Sequence, residues 1–180
     1  MKKISILVIT TLLISSCSSN KQESSLGFVP GCDQVKLLDT AEKSTLMPCL
    51  DGLGSINFHQ LKGPMVINVW GSWCEGCKEE MSYFVDLYET QLFKSGQIQL
   101  LGINVEESSK SDATEYIKQS GMSWPHLEDL DGISKSIFGP GVPVTWFIDE
   151  EGRNVAIKIG AYTNKKQLFE QVKKAFGIKL

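Results

Sequence analysis

The sequence has no apolar run long enough to cross a membrane. The run at its start, residues 4–14, has about 11 residues, whereas a membrane-spanning helix needs roughly 20. Internal repeats and blocks of basic residues are also missing, and the formal net charge is -3 over 180 residues. These absences argue against a membrane-spanning helix, a repeat protein and a nucleic-acid partner.

The first 16 residues have the pattern of an export signal, in which two lysines precede the apolar run and two serines follow it. The letters ISSC at residues 14–17 resemble the lipobox of bacterial lipoproteins, in which the signal is cut before the cysteine and its thiol is acylated. The sequence therefore predicts a signal peptide at residues 1–16, lipid attachment at Cys17 and a membrane-anchored, extracytoplasmic protein. The alternative is an ordinary secretory signal with Cys17 incidental.

The segment that follows is polar and low in hydrophobicity. Residues 17–31 therefore predict a flexible tether between membrane and domain. About 150 residues remain, enough for a substantial hydrophobic core. We expect one domain at residues 32–180.

The rest of the chain alternates between strand-like and helix-like patterns. Short apolar or alternating runs predict strands at residues 65–70, 98–105, 144–148 and 155–159. Helical spacing predicts a helix from near Cys74 to before Gly96, further helices at 111–119 and 131–139, and a last one carrying Leu168, Val172 and Phe176. Such alternation is typical of an α/β fold with a central mixed sheet flanked by helices.

Cys74 and Cys77 are separated by two residues and stand where a predicted strand gives way to a helix. The unpaired N–H groups and partial positive charge of a helix start favour a thiolate at Cys74. Cys77, one turn further on, could attack a mixed disulfide formed on Cys74 and release the product. The spacing predicts thiol-disulfide exchange, with Cys74 as the attacking thiol and Cys77 as the resolving thiol.

Other uses of this cysteine pair remain open. A tetrahedral zinc site typically takes a second close cysteine pair, which the chain lacks. An inert disulfide is a second alternative, and a Cu(I) carrier that adds His126 to the two thiols is a third. Exchange chemistry needs no bound cofactor or metal, and we expect none.

Two further cysteines are expected to form a structural bridge. If Cys17 is acylated and the close pair is bonded, Cys32 and Cys49 remain, in a compartment where disulfides persist. Their bridge is a hypothesis, and the alternative is two buried free thiols.

Two segments together resemble a known family. Residues 56–81, INFHQLKGPMVINVWGSWCEGCKEEM, and residues 141–152, GVPVTWFIDEEG, resemble the thioredoxin-like family of extracytoplasmic reductases that includes TlpA and ResA. The resemblance implies a thioredoxin-like fold and disulfide exchange in exported proteins. It also implies apocytochrome c thiols as one substrate, and an integral membrane electron donor of the CcdA/DsbD type.

The same resemblance implies roles for single residues. Pro143 matches a cis-proline that faces the two sulfurs, which leaves the Val142 backbone free to pair with an extended client segment. Trp73 matches a tryptophan that could offer the substrate a flat contact. Glu80 matches a glutamate that could exchange a proton with Cys77. The alternative for Glu80 is a charge that merely complements the helix dipole.

The chain departs from the family pattern at two positions. Gly76 and Ser82 stand where prolines are common. Glu75 adds a negative charge beside the attacking thiol, which opposes thiolate formation and favours a protein disulfide reductase. The alternatives are a disulfide-introducing oxidase of the same fold and a lipoprotein that binds a partner or Cu(I) without turnover. A peroxiredoxin is less favoured, because a second thiol three residues on is an exchange arrangement.

Overall fold

The computed structural model describes residues 28–180. The predicted signal peptide, Cys17 and most of the predicted tether lie outside the described residues. Within residues 28–180, no helix has the length and apolar character that a membrane crossing requires.

The described elements alternate much as the patterns predicted. The strands are β1 (Leu46–Pro48), β2 (Ser55–Asn57), β3 (Met65–Trp70), β4 (Gln99–Val105), β5 (His126–Asp129), β6 (Val144–Ile148) and β7 (Asn154–Ile159). The helices are α1 (Glu75–Tyr88), α2 (Gln91–Lys94), α3 (Lys110–Ser120), α4 (Ser134–Phe138) and α5 (Lys165–Phe176).

The main sheet has five strands in the order β5-β4-β3-β6-β7. Strands β3, β4 and β5 are parallel, whereas β6 runs antiparallel to β3 and β7 antiparallel to β6. Every residue of the central strand β3 is buried, as expected for a strand covered on both faces. The predicted α/β class with a mixed central sheet is confirmed.

Helices and loops cover both faces of this sheet. One face packs under α1, α3 and α5, through side chains such as Phe84, Ile117 and Leu168. The other face packs against α4 and the β1-β2 hairpin, through side chains such as Phe138 and Met47. Strand β3 contributes side chains to both clusters, and its carboxyl end leads into the loop that precedes α1.

The helix predicted from near Cys74 to before Gly96 is two helices, so that part of the prediction is wrong. Thr90 has an extended backbone with ψ 152° and begins α2. Its hydroxyl donates to the Leu87 carbonyl in the last turn of α1 at 2.8 Å. A threonine that bonds its local backbone in this way competes with helix continuation.

The sequence patterns missed β5 and the β1-β2 hairpin. These strands have only three or four residues each, too few for a clear period. Strand β5 reads HLED and comes directly after Trp124-Pro125. Its place at the sheet edge comes from pairing with β4.

Candidate active site

Cys74 occupies the N-cap position of α1. Its backbone is extended, and its Sγ accepts a hydrogen bond from the Cys77 N–H at 3.1 Å. The two cysteines form a disulfide, with Cα atoms 5.3 Å apart. Cys74 is 5% exposed and Cys77 is fully buried. Because the Cys77 N–H at the start of α1 donates to Cys74 Sγ, it would stabilise a thiolate there when the disulfide opens.

The loop between β3 and Cys74 is hydrogen-bonded to the carboxylate of Glu107, which the sequence analysis missed. Glu107 accepts hydrogen bonds from the Ser72 N–H at 2.6 Å and the Ser72 hydroxyl at 2.7 Å. The Asn104 side chain donates to the same carboxylate at 2.7 Å. The sequence position of Glu107 could have predicted this contact. Glu107 follows a strand parallel to β3, and parallel strands end at the same sheet edge.

Trp73 and the loop before β6 lie on either side of the cysteine turn. Trp73 is 49% exposed, and its Nε1 donates to the Val105 carbonyl at 3.2 Å. The Val142-Pro143 peptide bond is cis. A Cβ placed on Gly76 would lie 3.5 Å from Pro143 Cδ, so this proline packs on the first turn of α1. Trp73, Pro143 and the two cysteines are thus neighbours.

A small cavity of about 20 Å³ opens between Trp73 and Val142. Phe138 helps to form its apolar wall, and an ion pair between Glu106 and Lys135 lies at its rim. Glu106 has φ +54°, in the left-handed region that disfavours residues with a Cβ.

Glu80 is fully buried beneath the cysteine turn. Its Oε1 accepts from Asn68 Nδ2 at 3.3 Å and its Oε2 from the Tyr162 N–H at 2.8 Å. Desolvation by burial raises the pKa of Glu80 to about 7, against the lowering effect of these two hydrogen bonds and of Lys158. The two carboxyl oxygens therefore bond to Asn68 and Tyr162 rather than to the N–H groups at the helix start. The pKa of the group lies near neutral pH.

Cys32 and Cys49 form the second disulfide, the pairing that the sequence analysis hypothesised. The bond joins the 3-10 turn Cys32–Gln34 to the residue after β1. Cys49 also forms a β-bridge with Leu127. Both half-cystines are buried and belong to the cluster on the sheet face opposite α1.

His126 does not join the two thiols. It is fully buried, its Nδ1 accepts from Trp70 Nε1 at 3.3 Å, and its ring packs against Trp124. Burial lowers the pKa of His126 to about 3, so the ring is neutral at physiological pH. Within residues 28–180, no group of three or more His, Cys, Asp or Glu could hold a metal ion. The three-ligand Cu(I) hypothesis therefore lacks its site there.

Comparison with known proteins agrees with this geometry. Residues 39–165 match the model of the AhpC/TSA family. The chain is 34% identical over 110 residues to the thiol-disulfide oxidoreductase ResA of Bacillus subtilis, covering 60% of each chain. It is 31% identical over 121 residues to ResA of Bacillus thuringiensis strain Al Hakam, covering 66% of this chain and 68% of the relative. The match thus spans about 60% of the length of the B. subtilis relative.

A solved structure supports the fold assignment. The thioredoxin domain of a Bacteroides vulgatus thiol-disulfide oxidoreductase superposes with a TM-score of 0.59 at 21% identity, covering 76% of this chain and 96% of that one. At this identity the likeness concerns the fold alone. The expected thioredoxin-like fold is confirmed.

Proposed function

Because this chain belongs to the AhpC/TSA family and to its ResA-like thiol-disulfide oxidoreductases, we propose that it exchanges disulfides in exported proteins through Cys74 and Cys77. The observation that carries the proposal is the position of Cys74 at the N-cap of α1. Its sulfur is bonded to Cys77 and accepts a hydrogen bond from the Cys77 N–H. A thiol at that position is stabilised as the nucleophilic thiolate, and its partner is one turn away.

The proposed reaction begins with the reduced pair. The Cys74 thiolate attacks one sulfur of a client disulfide, and the other client sulfur leaves as a thiolate that takes up a proton. Cys77 then loses its proton and attacks the Cys74 sulfur. The second client sulfur leaves as a thiolate that takes up a proton from solvent, and the Cys74-Cys77 disulfide forms. Two electrons pass from the protein to the client, and Glu80 accepts the Cys77 proton.

Client binding is proposed at the surface beside Cys74. Within the described residues, neither the N–H nor the C=O of Val142 is hydrogen-bonded to another group, which suits pairing with an extended client segment. The exposed indole of Trp73 and the ring of Pro143 would flank that segment. Both positions match the family pattern that the sequence carries.

The proposed location is the outer face of a bacterial membrane, held by lipid on Cys17. The support is the signal-like pattern of residues 1–16 and the ISSC sequence. Apocytochrome c in its disulfide form, whose reduction yields its thiols, is the proposed substrate, and a CcdA/DsbD-type membrane protein is the proposed electron donor. Both come from the family resemblance.

Reduction is the favoured direction, because Glu75 places negative charge next to the attacking thiol. We expect a reduction potential nearer to that of thioredoxin, about -270 mV, than to that of DsbA, about -120 mV. Equilibration of the Cys74-Cys77 pair against a thiol redox buffer measures it. A potential as oxidising as that of DsbA would favour the oxidase alternative.

The activity itself is tested by reduction of insulin with dithiothreitol as electron source. C74S should abolish the catalysed rate, whereas C77S should accumulate a mixed disulfide on Cys74 whose client can be identified by mass spectrometry. The double variant C32S/C49S is the control and should retain catalysis, because it leaves the close pair intact. Insulin reduction that does not depend on Cys74 would refute the proposal.

A further inference from the structure

The buried side chain of Asn68 has a feature that the proposed reaction does not explain. Asn68 lies in the middle of β3, in the otherwise apolar sequence MVINVW, and is fully buried. Its Nδ2 donates to Glu80 Oε1, but its Oδ1 has no hydrogen-bond partner among residues 28–180. An unpaired buried carbonyl oxygen is costly, so it calls for a physical reason.

The partner of Asn68 changes its hydrogen-bonding capacity when it titrates. An ionised carboxylate only accepts hydrogen bonds, whereas a carboxylic acid must also donate one. The contact to Glu80 Oε2 comes from the Tyr162 N–H, which cannot accept. The other titratable groups coupled to Glu80 are Lys158 from β7, Tyr116 from α3 and the hydroxyl of Tyr162.

Of the two groups that are hydrogen-bonded to Glu80, Asn68 is the one that can both donate and accept. We propose that Asn68 is a positioning residue whose amide rotates with the protonation state of Glu80. The Nδ2 group donates to the carboxylate, and after rotation the Oδ1 atom accepts from the carboxylic acid. Its unpaired Oδ1 is the acceptor held ready for that second arrangement.

The rotation adds no atom or electron to the exchange reaction. A proton that leaves Cys77 ends on Glu80 Oε1, and the amide turns so that this proton is bonded to Asn68 Oδ1. The ionised carboxylate then has the Asn68 N–H as a donor, and the proton of the carboxylic acid has the Asn68 Oδ1 atom as an acceptor. The link to Cys77 rests on the proposed function, whereas the pairing of Asn68 with Glu80 does not.

The test is unfolding by denaturant of wild type and N68L, a variant of similar size without polar atoms. Measurements are made on the oxidised protein, so that the thiols do not titrate, well below and well above the pH at which Glu80 titrates. We expect N68L to raise the unfolding equilibrium constant about tenfold in both ranges. The Glu80 midpoint, followed by the carboxylic-acid C=O stretch in the infrared, should change little.

If the Asn68 amide does not rotate and only donates to the Glu80 carboxylate, N68L would lose stability only at high pH. The Glu80 midpoint would then move to higher pH. That outcome would overturn the proposal. The control N104L removes another buried amide, on β4, that bonds Glu107 rather than Glu80. It should leave the Glu80 midpoint unchanged.

A second measurement needs no variant. Nuclear Overhauser contacts of the Asn68 Hδ2 protons in the wild type should move away from Glu80 as pH falls through the Glu80 midpoint. Contacts that stay on Glu80 at every pH would refute the rotation even if N68L does not fold. Because both experiments use the oxidised protein without a client, failure of the exchange activity and failure of this inference are distinguishable.

Discussion

At the scale of single residues, burial gives Glu80 its chemistry. The sequence gives a glutamate three residues after Cys77, next to a similar one at position 79. Glu79 is exposed and Glu80 is fully buried, although they are adjacent. A carboxyl group that titrates near neutral pH can take and return a proton during exchange.

The stability of the oxidised protein should depend on pH through Glu80. Its folded pKa of about 7 exceeds the usual glutamate pKa of 4.5, so between those values the native state binds more protons than the unfolded state. Stability therefore falls as pH rises across this window, by roughly 3 kcal/mol at most. E80Q should remove that fall. The free energy of unfolding of E80Q, relative to that of wild type, should therefore increase as pH rises from about 4.5 to about 7.

Denaturant unfolding at a series of pH values measures this effect. E79Q is the matched control and should follow the wild-type profile, because its carboxyl group is exposed. If E80Q and wild type change with pH in parallel, Glu80 does not have the raised pKa that its burial implies.

At the scale of elements, the first turn of α1 carries both the reactive cysteine pair and a helix-weakening glycine. The backbone of Gly76 does not have a positive φ, so its conformation is open to any residue. A Cβ there would lie 3.5 Å from Ala161 Cβ and from Pro143 Cδ, which is normal contact distance. The turn therefore has space for a side chain that the sequence does not supply.

G76A should raise the free energy of unfolding by about 0.5–1 kcal/mol, because alanine loses less conformational entropy in a helix than glycine does. G121A is the matched control. Gly121 ends α3 with φ +79°, so the same substitution should destabilise by about 1 kcal/mol. Thermal or denaturant unfolding measures both. Destabilisation by G76A would show that the first turn requires the freedom of glycine.

At the scale of the whole molecule, the second disulfide joins the start of the described chain to the main sheet. The Cys32-Cys49 bond closes a loop with a sequence separation of 17. Through the bridge between Cys49 and Leu127 it reaches β5. The bond lies in the cluster opposite α1, so it acts on stability and not on the reacting sulfurs.

C32A/C49A should lower the free energy of unfolding by about 3 kcal/mol, as expected for release of a loop of this length. The insulin-reduction rate at a temperature where the variant is folded should stay close to wild type. Unfolding of the oxidised protein with and without the substitutions gives the difference. A variant that stays folded and still loses the catalysed rate would connect this bridge to the active site.

Much of the fold was predictable because its signals are local. The apolar run of β3, the helical spacing after Cys74 and the glycine that ends α3 each depend on residues close together in the chain. Short elements such as β5 have too few residues for a period to show. The break at Thr90 coincides with a hydrogen bond from its side chain to Leu87, which helical spacing alone does not predict.

The sequence by itself determined the reactive pair, since two cysteines at a helix start already define an attacking and a resolving thiol. Only the tertiary structure decided the surroundings of that pair. Glu80 is desolvated and bonded by Tyr162, 82 residues further on, and His126 is enclosed by tryptophans away from the thiols. Burial depends on the packing of segments that are distant in the chain, and the pKa values follow from burial. A local sequence pattern therefore predicts neither.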